Sequence, residues 1–297
     1  MPTYAFVTLD VFTDRQFGGN PLAVFTDARG LSEAQMQSLA AEFNLSETTF
    51  VLPPNDPANT ARIRIFNRTA EMPFAGHPNV GTGFVLAGQG RDDQGRLRFE
   101  EVAGLVEVRV SRDASGGLTG AVIDAPRPLV LGPELTTAQV AACASLVASD
   151  VVTTAHAPVQ ASLGIDFFFA QVTGEALSRA APDTAGFQRT SVETGAGGDR
   201  LSLFLYARDA EGQTIRARMF APLSGTFEDA ATGSASATLG ALLLSQGSEA
   251  HAAFQIIQGV EMGRPSLLAV SALRAPDGIR ASVGGGCTLM FRGEVSL

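Results

Sequence analysis

The segment EMPFAGHPNVGTGFVLAGQG, at 71–90, returns in altered form as FEDAATGSASATLGALLLSQG, at 227–247. Gly76 and Gly233 lie 157 residues apart, and the same offset pairs Glu71 with Glu228, Gly83 with Gly240, Leu86 with Leu243, Gln89 with Gln246 and Gly90 with Gly247. Upstream, Arg62, Arg64 and Phe66 pair with Arg216, Arg218 and Phe220 at an offset of 154. Downstream, Phe99 and Gly104 pair with Phe254 and Gly259 at 155, small insertions accounting for the drift. One coincident glycine spacing would mean little in a chain with 32 glycines; ordered matches across three consecutive elements mean an internal duplication. The period far exceeds the 20–50 residues of solenoid arrays, so each copy is expected to be a domain. The expected domains are 1–125 and 126–297, the final strand being free to return to the first, and each is long enough to bury its own core.

Within the first copy, TYAFVTLDVF and NPLAVFTDA are β-rich runs joined by the turn-like DRQFGGN, which predicts a hairpin. LSEAQMQSLAAEFN predicts an amphipathic helix with Ser32 as N-cap, Glu33 in the first turn and Leu31, Met36, Leu39, Ala40 and Phe43 on one stripe. ETTFVLPP, NTARIRIFN, LRFEE, LVEVRVSRD and LTGAVIDA, most of them alternating or β-branched, read as strands. GHPNVGTGFVLAGQG has room for one helix, apolar nearly all round at Val80, Phe84, Val85 and Leu86, and therefore expected in an interior. The second half is expected to repeat this order: a helix at LTTAQVAACASLV, strands at GIDFFFAQV, RLSLFLYAR and TIRARMFAP, then the second motif and further strands.

In both motifs an extended run meets a small-residue turn and then an apolar helix. Glycine at Gly76 and Gly233 lets a ligand approach the backbone amides closely, and a helix starting there adds unpaired N–H groups and a positive dipole end. Two such turns facing each other would clamp an anionic substrate from both sides. The plainer reading is tight packing of a buried helix, with His77 a capped loop histidine and Ser234 a simple N-cap. Asp229 stands just before the second turn, either aimed at a ligand or serving only as a favourable carboxylate near a helix start. Glu47, in NLSETTFV, lies where a surface loop gives way to an apolar strand. Solvated, it would do nothing; held against Phe43, Phe50 and Val51, it would have a raised pKa and exchange protons near neutrality. The sequence leaves both open.

Composition removes several other classes. The chain has 45% hydrophobic and 17% charged residues and no low-complexity tract, so a folded protein is expected. The formal net charge of −9, from 21 Lys+Arg against 30 Asp+Glu with no basic block, argues against nucleic-acid binding. No apolar run approaches the roughly 20 residues of a membrane-spanning helix, and the N-terminus MPTYAFVTLDVF lacks a basic region before Asp10, so the cytoplasm is the default expectation. Cys143 and Cys287 sit among small or apolar neighbours and are read as buried, inert thiols. His77, His156 and His251 are too scattered for metal-ligand spacing, so no metal is expected.

The blocks DVFTDRQFGGNPLAVF, LSETTFV, RIFNRTAEMPFAGHPNVGT, RMFAPLSGTFEDAATGSASA and QGVEMGRPS resemble, in order and across essentially the whole chain, those of the PhzF phenazine-biosynthesis-like family. That family is related to diaminopimelate epimerase and proline racemase. The resemblance implies an α+β, diaminopimelate epimerase-like fold: two pseudo-symmetric domains, each a β-barrel-like sheet around a central helix, with the active site in the cleft between them. It also implies a homodimer. By the same block-by-block reading, Glu47 of the SET block is the proton donor and acceptor, His77 and Asp229 complete the catalytic set, and Gly76, Gly233, Ser234 and Asn20 contact substrate. The chain departs from the usual pattern at Ala230, where proline is common, and at Asn79 and Val80 after GHP, changes that bear on substrate choice more than on reaction class.

The related racemases and epimerases place a cysteine immediately before the glycine of each turn. Here those positions are Ala75 and Thr232, neither of which can shuttle a proton as a thiol does. What the resemblance leaves is a one-base isomerisation without cofactor, on a small carboxylate-bearing metabolite, in which Glu47 moves a proton between carbons while amide-lined turns stabilise developing negative charge. The rival expectation is a non-catalytic protein that holds a small anion in the same cleft.

Overall fold

The expected hairpin forms from β1 (Thr3–Val11) and β2 (Asn20–Phe25), antiparallel with Leu9 opposite Leu22. Its loop returns through Gly19 at φ +63°, where an added Cβ would stand 2.3 Å from Val11 O, so glycine is required directly before Asn20. The computed structural model describes residues 1–195, 201–209 and 214–297. They divide into two compact units, Met1–Asp124 with Gly284–Leu297, and Ala125–Val283.

In the first unit the hairpin is followed by α1 (Glu33–Phe43), β3 (Glu47–Leu52), β4 (Ala61–Phe66), β5 (Glu71–Met72), α2 (Gly76–Gly88), β6 (Arg96–Glu101), β7 (Gly104–Arg112) and β8 (Leu118–Asp124). Ser32 caps α1 as expected: its side chain accepts from Gln35 N, and the Gln35 side chain returns to the cap backbone. Asn44 ends the helix in the left-handed conformation. Met36, Leu39 and Ala40 turn inward onto Phe25, Phe50 and Phe66. Strand β2 runs parallel to β3, β3 antiparallel to β4, β4 antiparallel to β5 and parallel to β6, and β6 antiparallel to β7. The apolar helix α2 packs on β1, β2, β7 and β8. Val80 and Leu86 are fully buried there, each contributing about 1.5–3 kcal/mol of burial.

The second unit contains β9 (Val130–Glu134), α3 (Thr137–Ala144), β10 (Val151–Val152), β11 (Val159–Ser162), β12 (Asp166–Val172), α4 (Gly174–Arg179), α5 (Thr184–Thr194), β13 (Leu203–Arg208), β14 (Thr214–Ala221), β15 (Thr226–Asp229), α6 (Gly233–Ser245), β16 (His251–Gln258) and β17 (Ser266–Ala275). The last strand, β18 (Gly278–Ser296), pairs over Cys287–Ser296 with β1 and thereby completes the first unit. The ladder of the first unit recurs: β12 parallel to β13, β13 antiparallel to β14, β14 antiparallel to β15 and parallel to β16, β16 antiparallel to β17. A duplicated α+β fold of two similar sheet-and-helix units is what the sequence implied.

Two expectations need correcting. The helix foreseen near residues 135–147 forms as α3 but precedes the β11–β12 hairpin, so it has no partner in the first unit; the place of α1 is taken by α4 and α5, which were missed. Pro182 splits that stretch into two short, polar helices whose caps are Thr173 and Asp183, leaving no long apolar stripe to read. Second, the pairing of Phe99 with Phe254 is two residues out. Arg62 lies opposite Glu100 on β6, and its duplicate Arg216 lies opposite Ile257 on β16, so these strands correspond at 157, the offset of the motifs themselves.

Elsewhere the duplication reaches individual contacts. Arg64 makes a two-pronged bond to Glu71 with its guanidinium 5.0 Å over Phe66; Arg218 does the same to Glu228, 4.9 Å over Phe220. A Cβ on Gly83 would lie 2.5 Å from Val108 Cγ1, and one on Gly240 2.4 Å from Val270 Cγ1. Each central helix is thus seated against its strand at the same glycine.

Candidate active site

Helix α2 begins at Gly76 without a side-chain cap, so its first amides are left to other partners. His77, on that first turn, is 5% exposed. Glu47 opens β3, and its Oε2 lies 3.4 Å from His77 Nε2, both atoms being buried. Asn20, which opens the neighbouring β2, places Nδ2 3.5 Å from His77 Nδ1, and Ser46 Oγ donates to Asn20 Oδ1 at 3.4 Å. Parallel pairing of β2 with β3, with Leu22 opposite Glu47, brings these strand starts to one place.

The donors and acceptors run in one direction. Ser46 donates to the carbonyl oxygen of Asn20, so the Asn20 amide nitrogen faces the ring, and its N–H makes His77 Nδ1 the acceptor. The ring proton is then on Nε2, toward Glu47. Burial holds the His77 pKa down to about 3, so at neutral pH the imidazole is uncharged. The Glu47–His77 contact is therefore a 3.4 Å approach of a carboxylate oxygen to a neutral imidazole, not an ion pair.

In the second unit Asp229 ends β15 and is buried. Thr232 Oγ1 donates to Asp229 Oδ2 at 2.7 Å. Gln258, fully buried, accepts from Thr232 N at 3.0 Å and donates to Asp229 O at 2.9 Å and Thr232 Oγ1 at 3.0 Å. Ser266 Oγ donates to Ala230 O at 2.8 Å. Gly259, at φ +74°, passes so close that a Cβ would stand 2.6 Å from Ala230 O. The QGVEMGRPS block thus braces the turn from which Gly233 and Ser234 start α6. Glu261 of the same block holds Arg216 and lies 4.0 Å from Arg218.

The structure therefore joins Glu47, His77 and Asn20, with Gly76 as the first residue of α2, in the first unit. In the second, Asp229 adjoins Gly233 and Ser234 through the Thr232 turn. Ser46, Thr232 as a donor, Gln258 and Ser266 were not foreseen as parts of these networks. Only the serine beside Glu47 and the glutamine of the QG block gave any signal. His156 is engaged elsewhere, its Nε2 2.7 Å from Tyr206 Oη, and His251 is exposed. Cys143 and Cys287 are buried, and burial raises both thiol pKa values, which disfavours thiolate chemistry at either. Among the described residues no three His, Cys, Asp or Glu side chains converge as metal ligands, and no helix is long and apolar enough to cross a membrane.

The duplicated sheet-and-helix fold is that of the epimerase-like proteins. Residues 9–293 match the family described as phenazine biosynthesis-like protein, and the chain belongs to that family. It is 35% identical over 301 residues to trans-2,3-dihydro-3-hydroxyanthranilate isomerase of Pseudomonas fluorescens, covering 98% of this chain and 99% of that one. Its fold is that of a PhzF-family phenazine biosynthesis protein of Bacillus anthracis, with TM-score 0.88, 22% identity and full coverage of both chains. The fold likeness extends to a hydroxyproline epimerase of Agrobacterium vitis, with TM-score 0.65, 12% identity, and coverage of 99% of this chain and 93% of that one. The protein is an isomerase of the PhzF type.

Proposed function

We propose that Glu47 is the acid/base of this isomerase, taking a proton from one carbon of a small carboxylate-bearing, unsaturated or amino-acid-like substrate and returning it to another. The observation that carries this reading is the buried, 3.4 Å approach of Glu47 Oε2 to Nε2 of a neutral His77. In the first step a C–H bond breaks, its proton passes to the Glu47 carboxylate and the electron pair shifts along the unsaturated system. In the second the O–H bond to Glu47 breaks and a new C–H bond forms at the far carbon. Nothing is oxidised or reduced, and the enzyme ends as it began.

His77 steadies the ionised carboxylate by donation and, with its pKa far below neutrality, does not itself give up a charge to the substrate. Gly76, Gly233 and Ser234 offer amides at helix starts to substrate carboxylate or developing negative charge. Asp229, oriented by Thr232, accepts from an amino or hydroxyl group of the substrate. Asn20 is assigned to orienting His77 as well as contacting substrate. The proposal includes a homodimer, which light scattering tests.

The first substrate to try is trans-2,3-dihydro-3-hydroxyanthranilate, the compound named for the Pseudomonas fluorescens relative. In deuterated water the wild type should introduce solvent deuterium into the product, and Glu47→Gln should not. Undiminished incorporation by the variant would remove Glu47 from the role. Binding of a small carboxylate without any turnover or exchange would favour the anion-holding alternative.

A further inference from the structure

Gln258, the last residue of β16, is fully buried, and both N–H hydrogens and the carbonyl oxygen of its side chain are engaged. Oε1 accepts from Thr232 N at 3.0 Å, while Nε2 donates to Asp229 O at 2.9 Å and to Thr232 Oγ1 at 3.0 Å. A backbone N–H can only donate and a backbone carbonyl can only accept, so the two ends of the amide are fixed independently, and they agree. Thr232 Oγ1 must then accept from the amide, and its single proton goes to Asp229 Oδ2 at 2.7 Å. The backbone thus sets the direction of the whole series: amide to hydroxyl to carboxylate.

We infer that Gln258 is a positioning residue for Asp229: acting through the Thr232 hydroxyl, it holds Oδ2 as an acceptor and the carboxylate in one orientation. One acceptor and two donors are needed at a single buried point. A neutral amide supplies them, where a carboxylate lacks the donors and an ammonium lacks the acceptor. The backbone of the turn is braced separately, by Ser266 Oγ on Ala230 O and by the close passage of Gly259, whereas the Gln258–Thr232 pair reaches the Asp229 side chain. Nor does the ladder itself call for the series. At the 157 offset Thr232 matches Ala75 and Asp229 matches Met72, so the first unit starts its own helix with neither hydroxyl nor carboxylate at these places. The series belongs to the half that presents Asp229, as a role in orienting that carboxylate requires. Around the amide, β17 brings Ser266 and β14 brings Ala217 into register, Glu261 is paired with Arg216, and the Asp229 carboxylate stands one hydroxyl away. The carboxyl introduced by Gln258→Glu would therefore be buried close to a negative charge, conditions that favour its protonated form.

The weight of this positioning in catalysis rests on the substrate contact proposed for Asp229; the series itself is tested without turnover. In the nitrogen-15-labelled full chain, the Gln258 side-chain N–H signals, assigned by their absence in Gln258→Glu, should exchange slowly with solvent. Thr232→Val should release one of them, with exchange about tenfold faster, and Thr232→Ser should restore it. Turnover of trans-2,3-dihydro-3-hydroxyanthranilate reads the consequence. Gln258→Leu and Thr232→Val should each slow it about tenfold or more, and the double variant should be little slower than the slower single one. Gln258→Glu should regain rate relative to wild type as pH falls from about 9 to about 5.5, because its carboxyl donates once protonated, whereas Gln258→Leu should keep a constant ratio. Asp229→Ala separates the two readings. Where it is slow, losses that multiply in the double variant or a Gln258→Glu ratio flat with pH overturn the inference. Where it turns over like wild type, the substrate contact of Asp229 falls and the N–H signals decide the series alone, as they do if the compound is not turned over. N–H signals left unchanged by Thr232→Val overturn the inference in every case. Should Gln258→Leu fail to fold, the Thr232 variants and the pH ratio of Gln258→Glu decide.

Discussion

The two helix starts are built on one ladder but furnished oppositely. By strand register and motif offset, Glu47, His77 and Glu101 of the first unit correspond to Ser202, Ser234 and Gln258 of the second, whereas Asp229 of the second corresponds to Met72 of the first. One start is equipped with groups that can gain or lose a proton. The other holds hydroxyls and an amide around a single carboxylate that is fixed by its own turn. What stayed alike is what seats the helix: the Arg–Glu pair over a phenylalanine and the glycine against a valine. Duplication thus preserved the packing while the residues at the helix starts diverged, and the divergence is concentrated where the proposed chemistry needs asymmetry.

The comparison is broken most severely at Glu47. Glu47→Gln should lower turnover on the order of 10³-fold, in the range expected for loss of an acid/base, while Ser202→Ala at the corresponding place should change it by less than about twofold. Steady-state rates on a common substrate measure both. A large effect at both positions would mean that the units share the proton chemistry equally.

The next test concerns what the units have in common. Gly83→Ala and Gly240→Ala each drive a methyl to within 2.5 and 2.4 Å of a valine Cγ1. Each should cost about 1–3 kcal/mol by overpacking, and the two losses should agree within about 1 kcal/mol. Denaturant melts check the values, and shortening Val108 or Val270 to alanine should recover part of the loss in its own unit only. Unequal losses would show that the helices are not seated alike.

An effect of similar size separates the units by pH. His77 has a folded pKa near 3 against about 6.5 when unfolded. Between those values the unfolded chain binds a proton that the folded chain refuses, so this contribution is complete above about pH 6.5 and is lost as pH falls toward 3. The slope reaches at most about 1.4 kcal/mol per pH unit. His77→Gln should flatten stability against pH by that amount between pH 4 and 6, and Ser234→Ala should leave the slope as it is. Unfolding free energies across that interval decide.

Most of the fold and part of the site were legible in the sequence, and the boundary follows sequence distance. The duplication, the buried helices and the Ser32 cap all rest on residues close together or on a repeated string, and all could be read. The β6–β16 register was misread because Phe99 and Gly104 happen to resemble Phe254 and Gly259, and only hydrogen-bonded partners on other strands reveal the shift. The clamp of Gln258 on Asp229 and Thr232 spans 26 to 29 residues and depends on a strand passing beneath a turn. Glu101, in a run of two glutamates before a turn, reads as a solvated residue until its carboxyl oxygens are found buried. Neutrality of His77 is likewise a property of enclosure, which no local pattern encodes.

The mildest test lies at the far end of the first unit's hydrogen-bond chain. Ser46 corresponds to Leu201, which is fully buried and apolar, so that position cannot repeat the first step of the Ser46–Asn20–His77 series. Ser46 donates to the Asn20 carbonyl oxygen and so fixes which end of the Asn20 amide faces the ring. At 3.4 Å that bond is long, and its removal should cost no more than about 0.5–1 kcal/mol. Ser46→Ala should therefore slow turnover only a few-fold, with an unchanged requirement for Glu47. Yet it should also let the amide rotate and mix the two His77 tautomers, which nitrogen-15 shifts of the ring resolve even when the rate hardly moves. A single Nε2–H tautomer persisting in the variant would show that enclosure by the sheet, and not the serine, sets the direction of the series.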